Sequence, residues 1–376
     1  MTARRMRTGV WAVPLVADLP NPPDLRELAR TNLHRLARQG QGDPRKLAAV
    51  ASLAAALGSS ETAFALAAEA RRLAPGDADI IRKTRRAFAA GVPAWHFSIV
   101  KDEARNDAWD RALRKAVRPG DTVLDIGSGS SLLAMMAARA GAARVISCEM
   151  NPAVADAAAE IVARNGLTER ITIVPRHSTA LDPERDMGGR ADVLVSEIIS
   201  NDMLGQDVLG IVGDARNRLL KPGAAIIPTA GDVRVALAEW RGLPKQRLRT
   251  VSGFDLAPFN RLAATPHRLR VGDPQLGLRS DPVTLFGFDF AGGAQSPLRA
   301  ERRLPGKGGA INGVAQWIRI HLDDETVYEN RPAADAMSCW LCLFYPLEEA
   351  VQLPAGAEVT VRGERTQRDL DVWLEL

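Results

Sequence analysis

One short stretch constrains the fold more than any other part of the chain: Val123-Leu-Asp-Ile-Gly-Ser-Gly129. Its apolar, β-branched beginning predicts a buried strand. Gly127 and Gly129 then allow a tight turn in which the backbone approaches a ligand that a side chain would exclude. A strand that leads through such a turn into a helix is typical of an open α/β sheet, which binds ligands at the carboxyl ends of its strands.

The sequence around this turn alternates apolar runs with helical patterns, which predicts a parallel, doubly wound, Rossmann-like sheet over residues 92–228. A helix is predicted over 102–117, just ahead of the first strand. The predicted strands are Thr122–Gly127, Ala143–Glu149, Ile171–Pro175, Ala191–Glu197 and Ala224–Pro228, with helices near 131–140, 152–165 and 206–219.

The two flanking regions have different textures. Residues 1–91 are helical in pattern, and Gly42-Asp43 recurs as Gly76-Asp77 after 34 residues, the period of tetratricopeptide (TPR) repeats. An ordinary helical bundle is the alternative. Residues 229–376 contain alternating apolar and polar runs between Gly/Pro/Asp loops, which predicts an antiparallel, β-barrel-like domain.

Composition limits the location and the partners. No run approaches 18 consecutive apolar residues, so no membrane span is expected. The basic start and the apolar run at 10–16 resemble a secretory signal, but Pro14 and Asp18 interrupt the pattern and no clear cleavage site follows. With only three cysteines, the chain is expected to be cytoplasmic.

Charge is concentrated at the N-terminal end. Residues 1–90 contain 15 Lys/Arg and 8 Asp/Glu, a net charge of +7, whereas the remainder carries −3. No basic motif interleaved with aromatic residues favours nucleic acid. The basic region is therefore expected to be a solvated helical face, or to bind a protein partner.

Cys339 and Cys342 form a CxxC pair inside Met337–Tyr345, which we predict to be a strand. Residues i and i+3 of a strand point to opposite faces, so the pair is not expected to bind a metal or to form a disulfide. No other spacing suggests a metal site.

Three features around the glycine turn favour S-adenosylmethionine as the ligand. Leu132 stands where a dinucleotide-binding fingerprint needs its third glycine, which argues against a nicotinamide cofactor. Asp125 ends the first strand and suits the ammonium side of the cofactor. Glu149 ends the second strand, where a carboxylate can accept both ribose hydroxyls. A structural turn without a ligand is the remaining alternative.

Several of these segments resemble the protein arginine methyltransferases, over roughly residues 92–376. Trp95–Asn106 is similar to the family's N-terminal signature, and Val123–Leu133 to its first motif. Cys148-Glu149, Arg176–Thr179 and Ser196-Glu197 are similar to its next motif, its adenine-contacting turn and the start of its double-glutamate loop. The branches associated with monomethylation and symmetric dimethylation are the most similar, and one of them carries tetratricopeptide repeats ahead of the catalytic module.

The resemblance implies transfer of a methyl group from S-adenosylmethionine to an arginine of a protein or peptide. It implies that Arg105 pairs with the methionine carboxylate of the cofactor, as a planar guanidinium does well. It also implies that Glu149 binds the ribose and that Ser178 and Thr179 flank the adenine. Glu197 would orient the acceptor guanidinium by charge-assisted hydrogen bonds.

The sequence departs from the family pattern at two positions. The second glutamate of the loop is replaced by Gln206, followed by Asp207, and the family's His-Trp pair is Cys339-Trp340. Gln206 and Trp340 remain candidate catalytic residues. The chemistry could be weaker, the acceptor could be a small molecule or an unusual peptide, or Asp207 could substitute. A cofactor-binding scaffold without activity is a further alternative.

The chain carries one catalytic module, and related enzymes either dimerise or fuse two modules. The resemblance therefore implies a C2 homodimer. Its dimerisation arm is expected near 240–259.

Overall fold

The computed structural model describes residues 25–294 and 296–375, with side chains from Asn32 onward. The basic start and the apolar run at 10–16 lie outside the described residues. The chain divides into two compact units, Met1–Gly91 and Val92–Leu376. The two domains that the sequence suggested for 92–228 and 229–376 thus lie within a single unit.

The first unit consists of consecutive helices, two of which begin at a capping aspartate. They are α1 (Leu25–Gln39), α2 (Pro44–Ala56), α3 (Ser60–Leu73) and α4 (Ala78–Ala89). Asp43 caps α2 and Asp77 caps α4, each accepting hydrogen bonds from two backbone N–H groups of its helix. The preceding Gly42 and Gly76 both have positive φ. The 34-residue recurrence therefore marks two equivalent helix starts.

The second unit opens with a parallel sheet and its helices. In chain order these are α5 (Trp95–Ile99), α6 (Glu103–Ala116), β1 (Thr122–Ile126), α7 (Leu132–Ala140), β2 (Arg144–Cys148), α8 (Pro152–Arg164), β3 (Ile171–Val174), a 3-10 turn (Ser178–Ala180), β4 (Ala191–Ser196), α9 (Val208–Arg218) and β5 (Leu220–Ile227). The strand order is β3-β2-β1-β4-β5, with parallel pairing throughout. This confirms the predicted doubly wound sheet and brings the ends of β1, β2 and β4 together at its centre.

An antiparallel sheet follows, which confirms the predicted β-barrel-like part. Its elements are β6 (Ala230–Trp240), α10 (Leu243–Gln246), β9 (His267–Leu269), β10 (Leu276–Leu278), β11 (Val283–Asp289), β12 (Arg299–His321), β13 (Val327–Glu329), β14 (Cys342–Arg365) and β15 (Leu370–Glu375). Between α10 and β9 lies a small hairpin of β7 (Thr250–Val251) and β8 (Phe254–Asp255). The sheet order is β10-β6-β12-β14-β15.

Strand β12 contributes to two apolar cores because its alternate residues point to opposite faces of the antiparallel sheet. Val314 and Ile318 belong to the core that also contains the parallel sheet. Ala315 and Trp317 belong to a second apolar core on the opposite face. The antiparallel sheet therefore packs directly against the core of the parallel sheet.

The prediction of a strand through Met337–Tyr345 is wrong at its beginning. Strand β14 starts at Cys342, and Cys339 lies in a loop. The N–H of Cys339 donates to Asp102, and that of Leu341 donates to the Asn201 side chain, so these donors are not free for a strand ladder. Within the described residues, no helix is long and apolar enough to cross a membrane.

Candidate active site

The turn after β1 is shaped by glycine. Gly127 has φ of 86°, and its N–H and that of Ser128 donate to the carbonyl of Cys148 at 3.1 and 3.0 Å. A Cβ at Gly127 would lie 2.7 Å from Cγ2 of Ile198. Gly129 has φ of 50°, and a Cβ there would meet nothing closer than 3.9 Å. The first glycine is therefore required by the protein's own packing, and the second keeps the turn open.

Asp125 lies at the end of β1 with one of its two oxygens unused. Ser147 donates to Asp125 Oδ2 at 2.6 Å, whereas buried Oδ1 has no hydrogen-bond partner among the described residues. Burial raises the pKa of Asp125 to about 6, against the lowering effect of the Ser147 hydrogen bond. A cationic ligand group beside Oδ1 would both satisfy this oxygen and favour its charge.

Glu149 follows β2 and is tied to the glycine turn. Its Oε2 accepts from the Gly129 N–H at 3.2 Å, and its Oε1 accepts from the Asn151 N–H at 2.8 Å. These bonds fix the carboxylate beside the turn without a cation. The structure thus brings Glu149, Asp125 and both glycines together, as the sequence suggested.

The turn after β3 carries Ser178 and Thr179. Ser178 is buried, and its Oγ has no partner within the described residues. Thr179 is exposed, with Oγ1 2.8 Å from Nδ1 of His177. Arg218 donates to the carbonyl oxygens of both residues, at 3.4 and 3.2 Å, and so fixes the main chain of the turn.

Arg105 and Glu197 form a buried ion pair. Nη2 of Arg105 lies 3.0 Å from Oε2 of Glu197, and each side chain is 4% exposed. Nε of Arg105 and Oε1 of Glu197 remain without partners in the described structure. Burial raises the pKa of Glu197 to about 7, although Arg105 acts to lower it. The sequence had assigned these residues to cofactor and acceptor separately, and did not anticipate that they contact each other.

The two departures from the family pattern lie in different surroundings. Gln206 is exposed, and Asp207 accepts from Gln367 at 3.1 Å and from Arg368 at 2.7 Å. Because its carboxylate is engaged by the β14–β15 connection, the structure gives no support to Asp207 as the second carboxylate of the site. Trp340 is buried, and its Nε1 donates to the carbonyl of Ile199, two residues after Glu197, at 2.9 Å.

Two residues that support this site, Asp102 and Tyr328, were not predicted from the sequence. Asp102 accepts from the Arg105 N–H at 2.9 Å and so caps α6. Its second oxygen contacts Tyr328 of β13 and Cys339 of the loop before β14. The predicted helix start at 102 was the one available signal for Asp102, and no local pattern pointed to Tyr328.

The unsatisfied atoms fit the parts of S-adenosylmethionine. The free Nε of Arg105 suits a carboxylate, Oδ1 of Asp125 suits an ammonium group, and Glu149 stands beside the open turn where hydroxyls can reach it. Residues 111–229 match the family model described as ribosomal protein L11 methyltransferase (PrmA). Fold and site together define an S-adenosylmethionine-dependent methyltransferase.

Relatives of known name indicate which kind of methyltransferase this chain is. An arginine N(omega)-methyltransferase of Streptomyces achromogenes subsp. streptozoticus is 37% identical over 289 residues, covering 76% of this chain and 79% of the relative. Protein arginine N-methyltransferase 7 of Drosophila grimshawi is 32% identical over 250 residues, 60% of this chain but 35% of that protein. The match thus spans about a third of the latter. The chain belongs to the arginine methyltransferase family.

Solved structures share the fold. A chain of the Trypanosoma brucei PRMT1 enzyme-prozyme heterotetrameric complex with AdoHcy has a TM-score of 0.66 at 23% identity, over 75% of this chain and 92% of that one. Arabidopsis thaliana protein arginine methyltransferase 10 has a TM-score of 0.62 at 18% identity, over 76% and 93%. Both confirm a parallel sheet followed by an antiparallel, barrel-like sheet.

Proposed function

We propose that this protein transfers a methyl group from S-adenosylmethionine to a guanidinium nitrogen of arginine in a protein or peptide. The observation that carries the proposal is Glu197, a buried carboxylate with a free Oε1 at the end of β4, next to the glycine turn. The family to which the chain belongs supports the same acceptor chemistry.

On the cofactor side, we assign each part to a residue. Arg105 holds the carboxylate and Asp125 the ammonium group, while Glu149 accepts from the ribose hydroxyls. Buried Ser178 and the turn at Thr179 lie beside the adenine. Bound S-adenosylmethionine supplies a methyl carbon activated by a positively charged sulfur.

On the acceptor side, Glu197 provides the selective interaction. A guanidinium is a weak nucleophile because its lone pairs are delocalised. Glu197 holds the group by charge-assisted hydrogen bonds and draws its positive charge away from the nitrogen that attacks. Its pKa of about 7 also suits Oε1 to take the proton that the nitrogen releases. Trp340 fixes the loop of Glu197 through the Ile199 carbonyl, so we assign it a positioning role.

A second acceptor class is a small guanidine such as free arginine. Two observations favour it: Gln206 is exposed and uncharged, and Asp207 is engaged by Arg368. The Streptomyces relative is also named for arginine rather than for protein arginine. With one carboxylate, the site would hold a guanidinium less strongly and would depend on other contacts for affinity.

Initial rates with tritiated cofactor on an arginine peptide and on free arginine distinguish the two classes. We expect the peptide to be methylated. Glu197→Gln should abolish transfer while the matched variant Gln206→Ala retains most of it. Gln206→Glu should raise the peptide rate by adding a second charge for the guanidinium. If only free arginine is methylated, and Gln206→Glu lowers that rate, the acceptor is the small molecule. Methylation of neither would refute the arginine assignment.

We also propose a homodimer formed through the segment between β6 and β9. This segment presents apolar side chains to solvent, including Phe254 at 71%, Phe259 at 63% and Leu262 at 67% exposure. Such a patch is typical of a protein contact. Light scattering at tens of micromolar should give twice the chain mass, and Phe254→Asp should give the monomer. A monomeric wild type would contradict the proposal.

The first unit is proposed to be TPR-like and to bind a protein partner, and the protein is proposed to be cytoplasmic. The equivalent caps at Asp43 and Asp77 support the repeat, and the net charge of +7 in residues 1–90 supports an acidic partner. Binding of an acidic peptide library in low salt, lost when α4 carries Arg85→Glu and Arg86→Glu, would test the partner surface. Cell fractionation would test the location.

A further inference from the structure

Tyr328 stands at the junction between the antiparallel sheet and the proposed cofactor site. It lies on β13, 226 residues from Asp102 in the sequence, yet its hydroxyl is 2.6 Å from Asp102 Oδ2. The same hydroxyl is 2.8 Å from Ser338 Oγ. Because a carboxylate only accepts, the tyrosine proton goes to Asp102 and the Ser338 hydroxyl donates to the tyrosine oxygen.

Asp102 carries this contact to Arg105. Its Oδ1 accepts from the Arg105 N–H at 2.9 Å and forms the cap of α6. Its Oδ2 accepts both the Tyr328 hydroxyl and the Cys339 N–H, the latter at 2.9 Å. The Cys339 thiol also lies close to Asp102, but the 2.6 Å bond from the tyrosine hydroxyl is the shortest hydrogen bond that Oδ2 accepts in the described structure.

The ring of Tyr328 is also connected to Arg105 through the ring of Trp109. Trp109 follows Arg105 by one helical turn, and the guanidinium carbon of Arg105 lies 4.8 Å from the Trp109 ring. Tyr328 and Trp340 complete an aromatic cluster with Trp109, with ring centroids 5.4 to 6.4 Å apart. Tyr328 therefore contacts both Asp102, which caps α6, and Trp109, whose ring lies against the Arg105 guanidinium.

We infer that Tyr328 is a positioning residue that sets Arg105 for the carboxylate of the cofactor. Long and flexible arginine side chains lose entropy when they are ordered, so a guanidinium ordered before binding contributes more affinity. Removing the hydroxyl leaves the ring in place but releases Asp102 from its tyrosine donor. The burial of the hydroxyl and its bond to Asp102 also raise the pKa of Tyr328, so the hydroxyl stays protonated and remains a donor at neutral pH.

This inference rests on the proposed role of Arg105, and two ligands separate the two claims. S-adenosylhomocysteine has the amino-acid end, whereas 5′-methylthioadenosine carries the same nucleoside without it. Binding of both to the full-length protein is measured by calorimetry. For Tyr328→Phe we expect S-adenosylhomocysteine to bind about two- to tenfold more weakly, the cost of ordering one long side chain on binding, and 5′-methylthioadenosine to bind as before.

The chain offers a matched control because it contains two tyrosines. Tyr345 is also buried on the same sheet, but its hydroxyl has no hydrogen-bond partner in the described residues. Tyr345→Phe should leave both affinities unchanged. If Tyr328→Phe does not fold, Ser338→Ala keeps the tyrosine and should weaken S-adenosylhomocysteine binding in the same direction, by less.

Comparing Arg105→Lys with Tyr328→Phe distinguishes failure of the inference from failure of the proposed cofactor contact. Arg105→Lys should weaken binding of S-adenosylhomocysteine but not of 5′-methylthioadenosine. If Arg105→Lys has this effect and Tyr328→Phe does not, the inference is overturned and the proposed cofactor contact stands. Equal weakening of both ligands by Tyr328→Phe would show general loosening of the site and also overturn it. If Arg105→Lys has no selective effect, the proposed cofactor contact itself fails, and the inference fails with it.

Discussion

The buried carboxylate of Glu197 should make stability depend on pH in a defined direction. Its pKa is about 7 in the folded protein and near 4.5 when exposed. Between these values the folded state binds more protons than the unfolded state, so stability falls as pH rises. The stabilising contribution is complete below pH 4.5 and is lost as pH passes 7. Between pH 5 and 8.5 it amounts to roughly 2–3 kcal/mol in the free energy of unfolding.

Glu197→Gln isolates this contribution because glutamine has the same shape and does not titrate. An offset from wild type is expected even at low pH, because the exchange replaces the carboxyl group beside Arg105 with an amide. The diagnostic quantity is the change in that offset with pH. Urea unfolding followed by circular dichroism at pH 5, 6.5, 7.5 and 8.5 should show wild type losing roughly 2–3 kcal/mol relative to the variant.

A matched control is Glu358→Gln, at an exposed glutamate of β14. It should run parallel to wild type across the same pH range. The pKa of Asp125 is also raised by burial. Asp125 makes the same contribution to the pH dependence of stability in wild type and in both variants, so it cancels in the comparison. An offset between wild type and Glu197→Gln that stays constant, or grows in favour of wild type as pH rises, would refute the reasoning.

Three further predictions follow from the site. Glu149→Ala should weaken S-adenosylhomocysteine binding by roughly 1.5–3 kcal/mol in calorimetry, the range for a hydrogen bond to a charged group. Gly127→Ala should lower the melting temperature and cofactor affinity together, because its Cβ would meet Ile198 at a positive φ; equal melting curves would count against this. Arg368→Ala should free the Asp207 carboxylate beside Gln206 and so lower the KM for an arginine acceptor at nearly constant cofactor affinity, and initial-rate kinetics with an unchanged or higher KM would contradict this.

Much of the fold could be predicted because its signals are local. The apolar runs at Thr122–Ile126 and Ala191–Ser196 and the capping aspartates Asp43 and Asp77 are each encoded within a few residues. The cofactor turn belongs to the same class, since Gly127 follows its strand directly. These elements form where their own sequence places them; the strand predicted across Cys339 was wrong, and β5 begins at Leu220 rather than at Ala224.

The contacts of the site were harder to predict because they join distant parts of the chain. Arg105 and Glu197 are 92 residues apart, and Asp102 and Tyr328 are 226 apart. Each contact requires the antiparallel sheet or the end of β4 to be in its final place. The error at Cys339 has the same origin, because Asp102 takes the N–H that a strand would have used.

The atoms left unsatisfied at the site have a consequence for turnover. In the proposed assignment, Arg105, Asp125, Glu149 and Ser178 bind the amino-acid end, the ribose and the adenine, and none of these groups changes when the methyl leaves. Interactions of this kind stabilise reactant and product equally. We therefore expect the spent cofactor, S-adenosylhomocysteine, to compete well with its precursor. The rate in a cell should accordingly follow the ratio of the two compounds, and hence the enzymes that remove the product.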